Sequence, residues 1–286
     1  MTGIDAPAKV NLTLHITGRR PDGYHLLDSL VVFAGICDRI DAAPDDRCSL
    51  TVSGPFSNGV PTDDSNLVLR AAKTLLRAHG RSEGVALHLT KSLPHAAGIG
   101  SGSSDAAATL RLVSGVLGLP LLPPDDDRVL ALGADVPVCM MAPAPARMSG
   151  IGEVLEPAGR LPQAALVLVN PRVPVPTGAV FAALKSRTNP PMSALPETAD
   201  FSDFVSWLTG QRNDLQDPAI AVAPAIGESL AALRAQSGVA WAGMSGSGAT
   251  TVGVCRTIAD ARSASNAIRR ACPDWWVAAA PMLAAD

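Results

Sequence analysis

The chain runs to 286 residues with 26 acidic against 23 basic side chains, a formal net charge of −3, and enough apolar material for one large or two medium cores. That balance argues against nucleic acid as the main partner, which calls for clustered Lys and Arg. Five scattered cysteines (37, 48, 139, 255 and 272) without a Cys-x-x-Cys pair, and five histidines without His-Glu-x-x-His spacing, argue against a disulfide framework, a zinc site and a histidine-bound metal.

A strand pattern begins within ten residues, with no basic-then-apolar leader before it, and no apolar run reaches membrane-spanning length; the expectation is a soluble cytoplasmic protein. From Lys9 the residues alternate, Val10, Leu12, Leu14 and Ile16 on one face and Lys9, Asn11, Thr13 and His15 on the other. Pro21-Asp22-Gly23 supplies a turn, and His25 to Phe33 reads as a returning strand, with another near Ser49 to Ser53. A helix from about Asn66, capped by Asp64 or Ser65, is stopped by Gly80. Val85, Leu87 and Leu89 alternate with Ala86, His88 and Thr90 as in a half-buried strand.

Then comes Pro94-His95-Ala96-Ala97-Gly98-Ile99-Gly100-Ser101-Gly102-Ser103-Ser104-Asp105, followed by a helical pattern with Leu110, Val113 and Leu117. Gly-Ser stretches also serve as flexible connectors. Between a strand and a helix, however, glycines let the backbone approach a ligand, and free N–H groups with the helix dipole favour an anion. Ser104 or Asp105 is expected to cap that helix. The loop is neither a Walker A motif, since no Gly-Lys pair occurs, nor a dinucleotide fingerprint, and the protein-kinase set is missing.

Pro123-Pro124 and Asp125 to Asp127 break the pattern and start a short helix, before Leu132-Gly133-Ala134-Asp135-Val136-Pro137-Val138 and a Pro/Ala-rich segment at 143–146. The second half reads as a strand at Ala165 to Val169, a short helix from Thr177 and a proline-rich loop at 189–196. Helices at 200–209 and 220–236 follow, then strands at Val239 to Met244 and Thr250 to Cys255 around Ser245-Gly246-Ser247-Gly248. A helix from Ile258 to Ala271 and a strand at Trp275 to Ala278 complete it. Without regular βα alternation the class is α+β, in two domains, 1–155 and 156–286.

Several single residues carry two readings. Lys9, the only lysine in the first seventy residues, is either solvated, as most lysines on a polar strand face are, or a charge aimed at a phosphate or a reacting hydroxyl. Asp135 is a turn aspartate or a carboxylate that accepts a hydroxyl proton. Tyr24, the only tyrosine, beside His25, and Phe181 are packing residues or a stacking set for a planar base.

Taken together the motifs resemble the GHMP kinases: Ala6 to Leu12 is similar to their first motif, Pro94 to Ala107 to the second and Gly243 to Ala249 to the third. Ala8-Lys9-Val10-Asn11-Leu12, Arg20-Pro21-Asp22-Gly23-Tyr24-His25, Leu132 to Pro137 and Arg212-Asn213-Asp214-Leu215 resemble the branch of that family acting on a cytidylyl sugar alcohol. Ser101 departs from the pattern, where the family often has glycine, and the segment from Leu119 to Leu132 is short and proline-rich.

The resemblance implies a two-domain α+β protein, with an N-terminal half like ribosomal protein S5 domain 2, a ferredoxin-like C-terminal half, and ligands in the cleft between them. It implies transfer of the γ-phosphoryl of ATP, with Mg²⁺, to the 2-hydroxyl of a cytidylyl methylerythritol in the non-mevalonate isoprenoid pathway. Homoserine- or mevalonate-type kinases and a non-catalytic nucleotide sensor are the rival readings. Carried over by position, Lys9 and Asp135 are catalytic. Pro94, His95, Ala96, Ala97, Gly98, Ile99, Gly100, Ser101, Gly102, Ser103 and Ser104 hold the ATP phosphates, and Asn66 lies near the adenine. Asn11, Tyr24, His25, Thr177 and Phe181 hold the cytidylyl substrate. Mg²⁺ is expected to ride on ATP phosphates and water, with Ser103 or Ser104 as a contact. The partner is a small molecule, with no nucleic acid and no membrane, and the chain is expected to be a monomer or weak homodimer.

Overall fold

The computed structural model describes residues 1–94, 98–197 and 200–284, so His95, Ala96 and Ala97 of the glycine loop lie outside the described residues. The elements in chain order are β1 (Thr2–Asn11), β2 (His15–Arg19), β3 (His25–Asp45), β4 (Ser49–Ser53), α1 (Leu67–Ala78), β5 (Gly84–Thr90) and α2 (Ser101–Leu117). Next come α3 (Asp127–Leu130), α4 (Val136–Cys139), β6 (Ala146–Gly150), β7 (Val154–Pro157), β8 (Ala165–Asn170) and α5 (Thr177–Ala182). The chain ends with α6 (Phe201–Thr209), α7 (Gln216–Val222), α8 (Ala225–Arg234), β9 (Val239–Met244), β10 (Thr251–Cys255), α9 (Ile258–Ala271) and β11 (Trp276–Pro281).

Two compact units emerge, Met1–Ala8 with Cys37–His95 and Gly100–Ala142, and Lys9–Ile36 with Ala96–Ile99 and Pro143–Asp286; β1 and β3 run through both. In the first unit β5 pairs antiparallel with Arg39 to Asp45 of β3 and parallel with β4. Val85, Leu87 and Leu89 are buried, as the alternation predicts. Helix α1 buries Val68, Leu69, Ala71, Ala72, Leu75 and Leu76, the stripe of an amphipathic helix, and packs on α2. The buried Ala106, Ala107 and Ala108 of α2 are small enough for that close packing.

The N-cap of α1 is Asn66, whose Oδ1 accepts from Val68 N, rather than the expected Asp64 or Ser65. The helix stops at Gly80, as expected, with φ 62°. Helix α2 opens on Gly100 in the left-handed region, φ 57°, not on a side-chain cap. Ser104 and Asp105 lie inside its first turns, buried, with bonds elsewhere in the unit. Gly118 at φ 62° ends α2, ahead of the prolines.

In the second unit the early part of β3 pairs with β2 and with β6, and β6 with β7. The other sheet has the order β11-β8-β10-β9, every pair antiparallel. Numbered among themselves, its strands stand 4-1-3-2, the ferredoxin-like order. Helices α8 and α9 pack on it. Ala165, Val167 and Val169 of β8 meet Leu233, Ala261, Ala264 and Ile268 in one core. Leu14, Ile16, Val180, Leu215, Ile226 and Met244 form another.

Three further readings of the sequence are corrected. Strand β3 continues to Asp45, β6 and β7 occupy the stretch beginning in the Pro/Ala-rich segment, and the expected helix at 220–236 is two helices. Pro224 separates α7 from α8 because a proline lacks the N–H that would continue the first helix. Among the described residues no helix is long and apolar enough to cross a membrane.

Candidate active site

Within the second unit the three glycine- or lysine-bearing motifs meet. Lys9 is 3 % exposed and Asn11 1 %, so the solvated reading of the lysine fails. An ammonium taken out of water needs polar partners, and Lys9 Nζ donates to Asn11 Oδ1 at 2.8 Å. The amide of Asn11 is held in turn: Nδ2 donates to Ser29 Oγ at 2.7 Å, and Ser29 Oγ donates to Thr13 O at 2.5 Å. Lys9 N donates to Ile99 O at 3.0 Å. Ser245 Oγ accepts from Asn11 N and donates to Gly98 O, both at 3.0 Å. One hydroxyl therefore ties the lysine strand, the glycine loop and the third motif together.

The backbones of the two glycine turns touch. Gly98 has φ 74°, Gly246 58° and Gly248 86°, a region that glycine enters without penalty. A Cβ on Gly98 would stand 2.5 Å from Gly248 O and 3.0 Å from Ser245 O.

The first unit holds the rest of the loop and the aspartate. Ser101, Gly102 and Ser103 open α2, where helix geometry leaves N–H groups without an intrahelical acceptor and the dipole favours an anion. Ser104 Oγ is fully buried and donates to Pro7 O at 2.7 Å, which leaves the half-buried Ser103 as the hydroxyl of the pair with access to a ligand. Pro94 O accepts a long contact from Ser101 Oγ, 3.5 Å. Asp135 precedes α4 and does not cap it with its side chain. Its turn lies beside the start of α2, since a Cβ on Gly133 would be 4.0 Å from Ser103 Oγ. Asn66 is nearby along α1, whose Leu67 faces Gly102. Its side chain is committed, with Nδ2 donating to Pro61 O at 2.7 Å and Oδ1 capping α1.

The aromatic set divides. His25 and Phe181 pack with centroids 4.8 Å apart, tilted by 31°. Burial first, then the charges of Arg19 and Arg187, hold the His25 imidazole below its usual pKa, so it is neutral at pH 7. His25 Nε2 is buried with no hydrogen-bond partner among the described residues. Tyr24, by contrast, is 61 % exposed. Thr177 begins α5 four residues before Phe181, on the same helix face, and its Oγ1 lies 3.1 Å from Ser247 Oγ.

Sequence reasoning missed the supports. Asn213 Nδ2 donates to Met244 O at 2.8 Å and Gly246 O at 2.9 Å, holding the third-motif turn. Asp214 Oδ2 accepts from Ile16 N at 2.7 Å. The Arg-Asn-Asp-Leu run marked a resemblance but gave no local signal of what it would hold. Ser29 carried no signal at all. Among the described residues no group of three or more His, Cys, Asp or Glu gathers at a metal-binding spacing.

The family model for the GHMP kinases N terminal domain matches residues 66–143, and that for GHMP kinases C terminal matches 192–274. A 4-diphosphocytidyl-2-C-methyl-D-erythritol kinase of Dinoroseobacter shibae is 54% identical over 274 residues, 96% of this chain and 92% of that one. One from Cereibacter sphaeroides is 52% identical over 284 residues, 99% of each chain. A crystal structure of 4-(cytidine 5'-diphospho)-2C-methyl-D-erythritol kinase superposes with TM-score 0.80 at 32% identity, covering 99% of this chain and 100% of that one. A homoserine kinase of Cytophaga hutchinsonii shares the fold at TM-score 0.68 and 16% identity, over 98% of this chain and 94% of that one.

Proposed function

This chain belongs to the GHMP kinase family, and from that premise we propose that it acts as its near relatives are named. It is an ATP-dependent small-molecule kinase that phosphorylates the 2-hydroxyl of 4-diphosphocytidyl-2-C-methyl-D-erythritol in the non-mevalonate isoprenoid pathway, releasing ADP. The observation that carries this is likeness to relatives of that name along nearly the whole chain, 99% of both partners in one case. The bonding of Lys9, Asn11, Gly98, Ile99 and Ser245 into one array supports it.

The residue roles follow from what phosphoryl transfer asks for, which is mostly positioning and charge stabilisation. The acceptor oxygen bonds to the γ-phosphorus, the bond to the β-γ bridging oxygen breaks, and the hydroxyl proton leaves to a base. We assign that proton to the Asp135 carboxylate. Lys9 supplies a positive charge for the reacting oxygens, and Asn11, which the resemblance puts with the cytidylyl substrate, has its amide taken up by Lys9 and Ser29 and is assigned instead to holding Lys9. The stretch from Pro94 to Ser104 cradles the phosphates; the positive φ of Gly98 and Gly100 and the opening of α2 suit that task. Asn66 borders the adenine side through the start of α1. When bound, Mg²⁺ neutralises phosphate charge, and ATP oxygens, water and the Ser103 hydroxyl are the ligands that fit. The two family matches fall on either side of residue 155, which supports a nucleotide-binding domain over 1–155 and a second over 156–286.

For the cytidine end, His25 and Phe181 supply a tilted aromatic pair, and His25 Nε2 has no partner among the described residues to compete with a base edge. Tyr24 and Thr177 flank them. Phe181→Ala or Tyr24→Ala is expected to raise KM for the cytidylyl substrate about tenfold while KM for ATP moves less than twofold, given the strength of aromatic stacking on a base. Steady-state kinetics with each substrate varied in turn check this, and equal shifts would count against stacking.

The decisive assay couples ADP release to Mg-ATP and offers 4-diphosphocytidyl-methylerythritol, homoserine, mevalonate or galactose. Release with the cytidylyl substrate alone is expected. Turnover of another acceptor, or silence with all four from protein that binds ATP, overturns the assignment.

A further inference from the structure

Behind the glycine loop, and outside the roles assigned above, the first unit buries three charged side chains together. Lys91, one residue past β5, donates from Nζ to Asp38 Oδ2 at 2.5 Å and to Asp105 Oδ2 at 2.7 Å. All three side chains are at most 3% exposed. Asp38 comes from β3, and its Oδ1 accepts from Ser92 N at 2.6 Å and Leu93 N at 2.8 Å, the amides just before Pro94. Asp105 sits in the early turns of α2, just after Ser104.

Two carboxylates share one ammonium in a dry site. Were both ionised, a net negative charge would stay buried at high cost. Asp105 Oδ1 is buried with no hydrogen-bond partner among the described residues, an arrangement a neutral acid tolerates far better than a carboxylate. Asp38 accepts three bonds on its two oxygens, from Lys91 Nζ, Ser92 N and Leu93 N, so it is the carboxylate of the pair. Burial, followed by the charge of Asp38, works against Lys91 to push Asp105 up to about 7.

We infer that Lys91, Asp38 and Asp105 form a buried brace, with the proton on Asp105, that fixes the two ends of the phosphate loop against each other. It rests on the proposed assignment of residues 94–104 to the ATP phosphates. On one side Asp38 holds the backbone entering the loop; on the other Asp105 holds the helix leaving it; Lys91 ties the two. None of the three touches substrate in this scheme, so they are positioning residues. Their effect is on where the loop amides point, and hence on ATP rather than on the acceptor.

The test compares Asp105→Asn, Asp105→Ala and Asp38→Asn by steady-state kinetics, with circular dichroism as a check of folding. Asparagine keeps the neutral shape and an oxygen that accepts from Lys91 Nζ, so Asp105→Asn is expected to hold KM for ATP within about twofold of the parent. Asp105→Ala and Asp38→Asn are expected to raise KM for ATP about tenfold or more with KM for the acceptor unchanged, the size of effect that misplacing a binding group produces. An Asp105→Ala protein with parental KM for ATP, or equal rises in both KM values, overturns the brace. Asp105→Asn as impaired as Asp105→Ala overturns the placement of the proton. Hydrogen exchange of the parent protein with AMP-PNP separates the two levels: protection of amides between Gly98 and Ser104 is expected, and its absence fells the loop assignment and the brace with it.

Discussion

Asp135→Asn is expected to give a folded protein that still binds ATP and transfers the phosphoryl group about a thousandfold more slowly, the central value for loss of a general base. That corresponds to about 4 kcal/mol of transition-state stabilisation. The Asp135 side chain does not cap α4, and the turn depends on its carbonyl, which accepts from Cys139 N at 3.1 Å. Asparagine has the same shape and the same backbone preferences at such a turn, but its amide oxygen is too weak a base to take a hydroxyl proton. Because the hydroxyl loses its proton late in a loose transition state, the loss should fall on the chemical step and spare KM for ATP. Single-turnover quench-flow with enzyme in excess reads that step directly. A rate near that of the parent would remove Asp135 from the role of base.

Gly98→Ala is expected to cost about 2–5 kcal/mol of stability from left-handed strain together with overpacking. The Cβ would meet the carbonyls of Gly248 and Ser245 at 2.5 and 3.0 Å, and backbone cannot swing aside as a flexible side chain would. Moving the loop to relieve the clash would pull Gly98 O from Ser245 Oγ, whose other bond is to the Asn11 amide next to Lys9. Stability and ATP affinity should therefore fall together. Denaturant melts and calorimetric titration with AMP-PNP measure the two. A variant with an unchanged midpoint would show that the two glycine turns do not pack as described. Gly115, in the outer turns of α2, is the control: a Cβ there meets nothing within 4 Å, and helical alanine is preferred to glycine.

How far the sequence alone reaches differs from residue to residue. Helix α9 begins and ends where the pattern says, at Ile258 and Ala271, because Thr257 caps it by a bond to Asp260 N and its apolar residues repeat at helical spacing. The alternation of Val85, Leu87 and Leu89, the stop at Gly80 and the family motifs are likewise local, set by backbone preferences or by glycines at positions of positive φ. The break between α7 and α8 was missed: the apolar pattern over 220–236 reads as one helix, and Pro224, which lacks the N–H to continue α7, divides it.

The candidate site is local in its residue types and non-local in its geometry. Lys9, Asp135, His25 and Phe181 were named from their own neighbourhoods, yet nothing there says that the polar face of the first strand is buried. That burial comes from partners far along the chain: Asn11 meets Ser245 across 234 positions, and Asn213 braces the turn at Gly246. Asp105 shows the same limit, since a Ser-Ser-Asp run before a helix reads as a cap, and only the arrival of Lys91 and Asp38 turns it inward. Periodicity, caps and glycines record what the backbone prefers over a few residues, and from them the sequence determined most of the elements and the α+β class, while the chemistry was implied by the resemblance of its motifs to the GHMP kinases. Burial, the protonation it imposes and the partners of each polar atom depend on which distant segments pack together, and those the tertiary structure alone decided.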